Sequence, residues 1–217
     1  MSWDVFMRSV TIALENRIPA LNFFGGEPLL NPQFFPMLKK AFENNLSLIL
    51  ATNCRPLAEQ GFITRFLDAT KAHKKHIVII TARDKFHLQF FDPIEAIEHL
   101  RSEGYEVAVN DYSNHTVLLS EYNTSHRELR NLDTHFTCCN ATWTDNLGVL
   151  PNGQWTICPA SLEAFGNIFT NSLQEIVHFK RGLSLHYEEG CTECLKKFKD
   201  FRKEFETIQA IKEIGIH

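Results

Sequence analysis

Long apolar runs, an excess of basic residues and early cysteines are all missing from this chain. No apolar run approaches the ~20 residues that a transmembrane helix needs. The net charge of −4 provides no basic footprint for nucleic acid. The first residues carry neither a basic region nor an apolar core, which argues against a secretory signal. We therefore expect a cytoplasmic protein that binds neither nucleic acid nor membranes.

The composition is that of a globular protein with an uneven distribution of cysteine. The 217 residues are 44% hydrophobic and 22% charged, enough for one large domain, with or without a smaller appendage. Of six cysteines, only Cys54 lies before residue 138. In a reducing compartment, cysteines serve metals or chemistry more often than disulfides.

A repeating β–α pattern occupies residues 1–133. Short apolar runs predict strands, and amphipathic segments between them predict helices. The predicted strands are 21–24, 46–52, 77–81 and 105–109, and the predicted helices are 2–17, 31–44, 56–72 and 93–103, with a less distinct strand at 116–119 and a short helix at 125–132. Such crossovers imply an α/β fold with a parallel sheet. A partial (β/α) barrel and a flavodoxin-like layered sheet both produce this pattern.

The first predicted strand ends in Gly25-Gly26-Glu27-Pro28. Two glycines allow a sharp turn and a close approach of the backbone to a ligand. Glu27 follows at the carboxyl end of the strand, where open sheets and barrels place their sites. A carboxylate there can accept a charge-assisted hydrogen bond from an ammonium group. The alternative is an ordinary glycine turn with Glu27 in solvent.

Residues 24–29 resemble the GGEP motif of radical S-adenosylmethionine (SAM) enzymes, and the flanking residues are similar too. The resemblance implies that Gly25, Gly26, Glu27 and Pro28 belong to a SAM site. It also implies a partial TIM-like barrel of the radical SAM type that lacks its first strand. The CxxxCxxC loop that holds the family's catalytic [4Fe–4S] cluster precedes this motif. None of the 24 residues before Gly25 is cysteine.

Two further strand ends resemble the same family. Thr52 and Asn53 match a Thr-Asn-Gly stretch near SAM, with Cys54 in place of the glycine. We interpret Cys54 as a small buried side chain. Asp84 and His87 resemble a Ser-x-Asp-x-x-His pattern, in which Asp84 would bind a hydroxyl and His87 would orient it. An interpretation of Asp84 as the cap of a turn is as well supported as its interpretation as a site residue.

The remaining cysteines form a metal-binding pattern. Cys191 and Cys194 are a CxxC pair, which chelates one metal from a tight turn, and Cys139 and Cys158 supply two more thiolates. Spacing alone favours zinc and an iron–sulfur cluster equally. Cys138 is an alternative ligand to its neighbour Cys139.

The region around these cysteines resembles the SPASM and twitch appendages of radical SAM enzymes. A predicted turn at 151–153 and a strand at 155–157 bring Cys158 back towards Cys139, and residues 166–176 are also similar. A full SPASM appendage needs more cysteines, so the resemblance implies the twitch type with one auxiliary [4Fe–4S] cluster. Its ligands would be Cys139, Cys158, Cys191 and Cys194.

These observations predict two domains, a truncated radical SAM-like barrel at 1–133 and a cysteine-rich appendage at 134–217, ending in a charged helix at 195–214. The resemblance implies a truncated peptide- or protein-modifying radical SAM enzyme, with the missing segment lost or supplied by a second chain. Without the catalytic cysteines, we expect no reductive SAM cleavage by this chain alone. The alternatives are a degenerate iron–sulfur or zinc protein that acts through a partner or peptide, and an ordinary α/β domain with a zinc appendage.

Overall fold

The structure, a computed structural model, describes residues 1–84, 87–112, 147–156 and 164–184. The chain forms two compact units. The parallel-sheet unit is Ser9–Leu119, and the antiparallel unit is Met1–Arg8 together with Ser120–His217. The strand predicted at 116–119, the helices predicted at 125–132 and 195–214, and every cysteine after Cys54 lie outside the described residues.

The described residues of the parallel-sheet unit form four strands in the order β1-β2-β3-β4, and each neighbouring pair is parallel. The strands are β1 (Ala20–Phe23), β2 (Ser47–Ala51), β3 (Ile77–Asp84) and β4 (Glu106–Tyr112). Helices alternate with them along the chain. The predicted α/β class and parallel sheet are therefore confirmed.

Four helices accompany these strands: α1 (Trp3–Glu15), α2 (Phe34–Glu43), α3 (Gln60–Thr70) and α4 (Ile94–Ser102). Gly104 follows the end of α4 with φ +86, a conformation that glycine adopts without strain. No helix among the described residues combines the length and apolar character needed to cross a membrane.

Two predicted helix boundaries were wrong. The helix predicted at 31–44 starts only at Phe34, and that predicted at 56–72 is interrupted. Residues Arg55–Ala58 form a 3-10 turn, Glu59 is extended with ψ 117, and only then does α3 begin. Pro56 fits the first turn of either helix type because it has no N–H to donate, so it does not distinguish them.

The predicted strand at 21–24 was also wrong in its extent and burial. β1 begins one residue earlier and ends at Phe23, and Asn22 within it is exposed. Phe24 lies outside the strand with 59% of its surface exposed. Among the described strands β1 stands at the edge of the sheet, so its side chains have neighbours on one flank only.

The centre of the sheet is buried on one face. Leu48 pairs with Ile77 and Leu50 with Ile79, and all four are buried. The intervening residues of β2 are only half-buried, because successive side chains of a strand point to opposite faces. The parallel register brings the carboxyl ends of β1, β2 and β3 to one edge of the sheet.

The described part of the antiparallel unit contains β5 (Gly148–Val149), β6 (Trp155–Thr156), β7 (Ala164–Phe165) and the helix α5 (Leu173–Ser184). β6 pairs antiparallel with both other strands. The predicted turn at 151–153 is confirmed: the Gly153 N–H donates to the Leu150 carbonyl at 2.9 Å. Gly153 has φ +86, and an added Cβ would approach Ile168 to 3.3 Å, so both conformation and space favour glycine.

Candidate functional site at the carboxyl edge of the parallel sheet

A glycine turn carries the chain out of β1. Gly25 and Gly26 have φ angles of +87° and +55°, in the left-handed region that other residues avoid. A Cβ added at either position would meet nothing within 4 Å. The glycines are therefore required by the backbone conformation, and the space around the turn is open. Glu27 follows at once, and Pro28 starts a 3-10 turn that ends at Leu30.

Among the described residues, three donors form hydrogen bonds to the Glu27 carboxylate. Oε1 accepts from the Leu29 N–H at 3.1 Å and from the Thr52 hydroxyl at 2.8 Å. Oε2 accepts from the Asn53 N–H at 2.8 Å. Glu27 is half-buried and caps the 3-10 turn, so its carboxylate has partners in the chain as well as access to solvent. An ionised carboxylate has about four acceptor positions, so these bonds leave one, on Oε2.

The segment after β2 is folded so that its donors face Glu27. Cys54 has φ +62, and its N–H donates to the Thr52 hydroxyl oxygen at 3.0 Å. The Asn53 side chain turns the other way, and its Oδ1 accepts the Arg55 N–H at 2.9 Å. Asn53 therefore contributes its backbone to Glu27 and its side chain to the turn.

The Cys54 thiol is enclosed. The residue has 0% of its surface exposed, which confirms its interpretation as a small buried side chain. Burial raises the pKa of the Cys54 thiol to about 11, the nearby Thr81 hydroxyl lowers it, and the negative charge of Glu27 raises it. A thiol in this state is protonated at neutral pH, which disfavours the reactive thiolate form.

Thr81 and Trp155 are polar groups that the sequence interpretation passed over. The buried Thr81 hydroxyl lies close enough to Cys54 to affect its pKa, yet it forms no hydrogen bond of good geometry within the described part of the chain. Trp155 is 3% exposed, and its Nε1 has no acceptor among the described residues. A polar residue inside the apolar run of β3 was the available signal for Thr81. No sequence signal distinguishes Trp155.

The predicted site residues thus divide into two groups. The structure brings Glu27, Thr52 and the backbone of Asn53 together at one edge of the sheet, directly after the glycine turn. Asp84 ends β3 at the same edge. The side chains of Asp84 and His87 lie outside the described residues, as do the four predicted metal ligands. Within the described ranges, no group of three or more His, Cys, Asp or Glu residues has the geometry to hold a metal.

No protein-family model matches this chain, and no curated protein matches it.

Proposed function

We propose that this chain is a radical SAM-like iron–sulfur protein, similar to peptide- or protein-modifying enzymes. It retains part of the SAM site at Gly25-Gly26-Glu27-Pro28. Four cysteines, Cys139, Cys158, Cys191 and Cys194, hold one auxiliary [4Fe–4S] cluster. The chain binds SAM but does not cleave it reductively by itself.

The geometry of Glu27 is the observation that carries the proposal. Its carboxylate lies at the carboxyl edge of the sheet, beside an open glycine turn, and is fixed by three donors. One acceptor position remains on Oε2. A single charged acceptor of fixed direction suits the ammonium group of the methionine part of SAM, since charge-assisted hydrogen bonds are short and directional.

The strand order favours the barrel over the flavodoxin-like sheet. A doubly wound sheet reverses its strand order at a switch point, and β1-β2-β3-β4 has no reversal among the described strands. Right-handed crossovers in sequential order place successive helices on the same face. The half-buried second face of β2 agrees with such an arrangement. We therefore propose the partial (β/α) barrel of the radical SAM type.

The antiparallel unit contains a feature that fits a sulfur-rich centre. Trp155 lies three residues before Cys158, and its buried indole N–H lacks an acceptor among the described residues. Thiolate and sulfide sulfurs accept such hydrogen bonds, which tune iron–sulfur centres. A bound auxiliary cluster supplies electron transfer or a coordination point for substrate. Zinc is the alternative metal, since it takes the same four thiolates.

A degenerate, non-catalytic protein is the second candidate. The bonds to Glu27 come from the chain itself and join the loops after β1 and β2, so they stabilise the fold whether or not a ligand binds. In this case the protein acts through a partner or a peptide.

Calorimetric titration with SAM tests the first candidate. We expect wild-type protein to bind SAM and Glu27→Gln to bind it at least about tenfold more weakly, because a hydrogen bond to a charged group is lost. Glu59→Gln is the matched control: it removes the same charge from an exposed residue whose side chain caps nothing. Absence of SAM binding by the wild type favours the degenerate protein.

Metal analysis after anaerobic reconstitution with iron and sulfide tests the second part of the proposal. We expect about four irons per chain and their loss in Cys191→Ser and Cys194→Ser. Comparison of Cys138→Ser with Cys139→Ser identifies the ligand of that adjacent pair. Zinc in place of iron, or iron retained in the Cys191 and Cys194 variants, contradicts the cluster. With dithionite and SAM, formation of 5′-deoxyadenosine by this chain alone contradicts the predicted lack of cleavage.

A further inference from the structure

The Thr52 hydroxyl is engaged inside the protein, both as a donor and as an acceptor. Thr52 is 6% exposed, so a ligand at the edge of the sheet has little access to it. Its backbone N–H donates to the Ile80 carbonyl at 3.0 Å, which holds Thr52 beside β3. Its Oγ1 lies 3.0 Å from the Cys54 nitrogen and 2.8 Å from Glu27 Oε1.

The direction of these two hydrogen bonds is fixed by chemistry. The Cys54 amide can only donate, so the hydroxyl oxygen accepts from it. The Glu27 carboxylate can only accept when ionised, so the hydroxyl proton points to Oε1. The result is a relay from the Cys54 amide through Thr52 to the carboxylate.

We infer that Thr52 is a positioning residue that acts on the ligand only through Glu27. The Leu29 and Thr52 donors occupy both acceptor positions of Oε1. A ligand can therefore bind only at the remaining position on Oε2, and the carboxylate is held in one orientation. This inference rests on the proposed function, because it assigns Thr52 a role in binding an ammonium-bearing ligand without contact to it.

SAM calorimetry with matched variants tests this role. We expect Thr52→Val, which replaces the hydroxyl by a methyl group, to raise the Kd for SAM about tenfold. Thr52→Ser keeps the hydroxyl, and its Kd should stay within about twofold of the wild type, since only a methyl group is lost. Thr64→Val is the control, because the exposed Thr64 hydroxyl donates only to the Gln60 carbonyl within α3.

The decisive experiment measures the effect of Thr52→Val on the Kd for SAM in protein that also carries Glu27→Ala. If Thr52 acts through Glu27, the second substitution should change the Kd by less than about twofold, because interacting residues are non-additive. Full additivity of the two substitutions overturns the inference.

The same cycle measured by urea unfolding without ligand separates this inference from the proposed function. We expect Thr52→Val to lower the unfolding midpoint in the wild type but hardly further in Glu27→Ala. Absence of SAM binding together with coupled midpoints contradicts the SAM site and retains the Thr52–Glu27 relay as a fold element. If the midpoint shifts of the two single variants add up in the double variant, the relay is overturned, whether or not SAM binds.

Discussion

Glu27 Oε2 accepts the backbone N–H of Asn53 at 2.8 Å, across 26 residues of sequence. This bond connects the loop after β1 to the loop after β2. A backbone donor cannot rotate away as a side chain can, so it fixes the carboxylate where both strands end. The rest of the candidate site, from the glycine turn to the Thr52 hydroxyl, is arranged around this carboxylate.

Glu27→Gln should destabilise the parallel-sheet unit even without a ligand. The amide of glutamine presents one N–H₂ group where the carboxylate presents an acceptor, so one of the donors from Leu29, Thr52 or Asn53 loses its partner. We expect a loss of about 1–3 kcal/mol in the free energy of unfolding. Urea denaturation measures it. An effect as small as that of Glu59→Gln contradicts the role of the three hydrogen bonds.

Gly25→Ala should destabilise the protein through backbone strain alone. Its φ is +87, and an added Cβ meets nothing within 4 Å. We expect a cost of about 1–2 kcal/mol. Gly61→Ala is the matched control, because Gly61 lies inside α3 with equally open space and should gain up to about 1 kcal/mol. Thermal or urea unfolding measures both changes in the free energy of unfolding. Changes of opposite sign support the assigned turn, and equal changes contradict it.

The buried Cys54 thiol should make stability fall at alkaline pH. Its pKa rises from 9.0 to about 11 in the folded protein, chiefly through burial. The folded state keeps the proton that the unfolded state releases, so stability is full below pH 9 and is lost as pH rises towards 11. The expected loss is about 2–3 kcal/mol.

Cys54→Ser provides the comparison for this titration, since serine does not ionise in that range. Burial also raises the pKa of Tyr105, so it contributes in the same direction. Tyr105→Phe removes that contribution separately. Urea unfolding from pH 8 to 11 should be less steeply pH-dependent in each variant than in the wild type. A wild-type slope that persists unchanged in Cys54→Ser contradicts the enclosed thiol.

If the proposed [4Fe–4S] cluster is bound, Trp155→Phe should change its reduction potential. The substitution keeps one aromatic ring, and it removes the buried N–H donor together with the rest of the indole. An N–H···S bond stabilises the more negative, reduced cluster, so its loss should lower the reduction potential. Trp3→Phe is the control, because Trp3 is half-buried and its ring lies 5.5 Å from that of Phe6. Equal potentials in wild type and Trp155→Phe contradict this role.

The sequence was sufficient for the sheet because its central strands are unambiguous. The apolar runs at β2 and β3 are bounded by polar residues, which indicated the strands but not that only one face is buried. The extent and burial of β1 were predicted wrongly because a short apolar run is compatible with either an edge strand or a central strand. The exposure of Phe24 depends on what lies beside it, and that is a tertiary property.

The candidate site was predictable in place but not in detail. Gly25, Gly26 and Glu27 indicated a turn at the end of a strand. Thr52 indicated the end of a second strand. Their meeting depends on the register between β1 and β2, which a single sequence does not specify. The left-handed conformation of Cys54 was also hidden, because the glycine that normally signals it is replaced by cysteine.

A crystal structure of this protein with bound SAM tests the central claim most directly. We predict that the ammonium nitrogen of SAM lies within about 3 Å of Glu27 Oε2, at the acceptor position that the three described donors leave free. SAM bound elsewhere, or Glu27 still holding only its three internal donors at saturating SAM, contradicts the account.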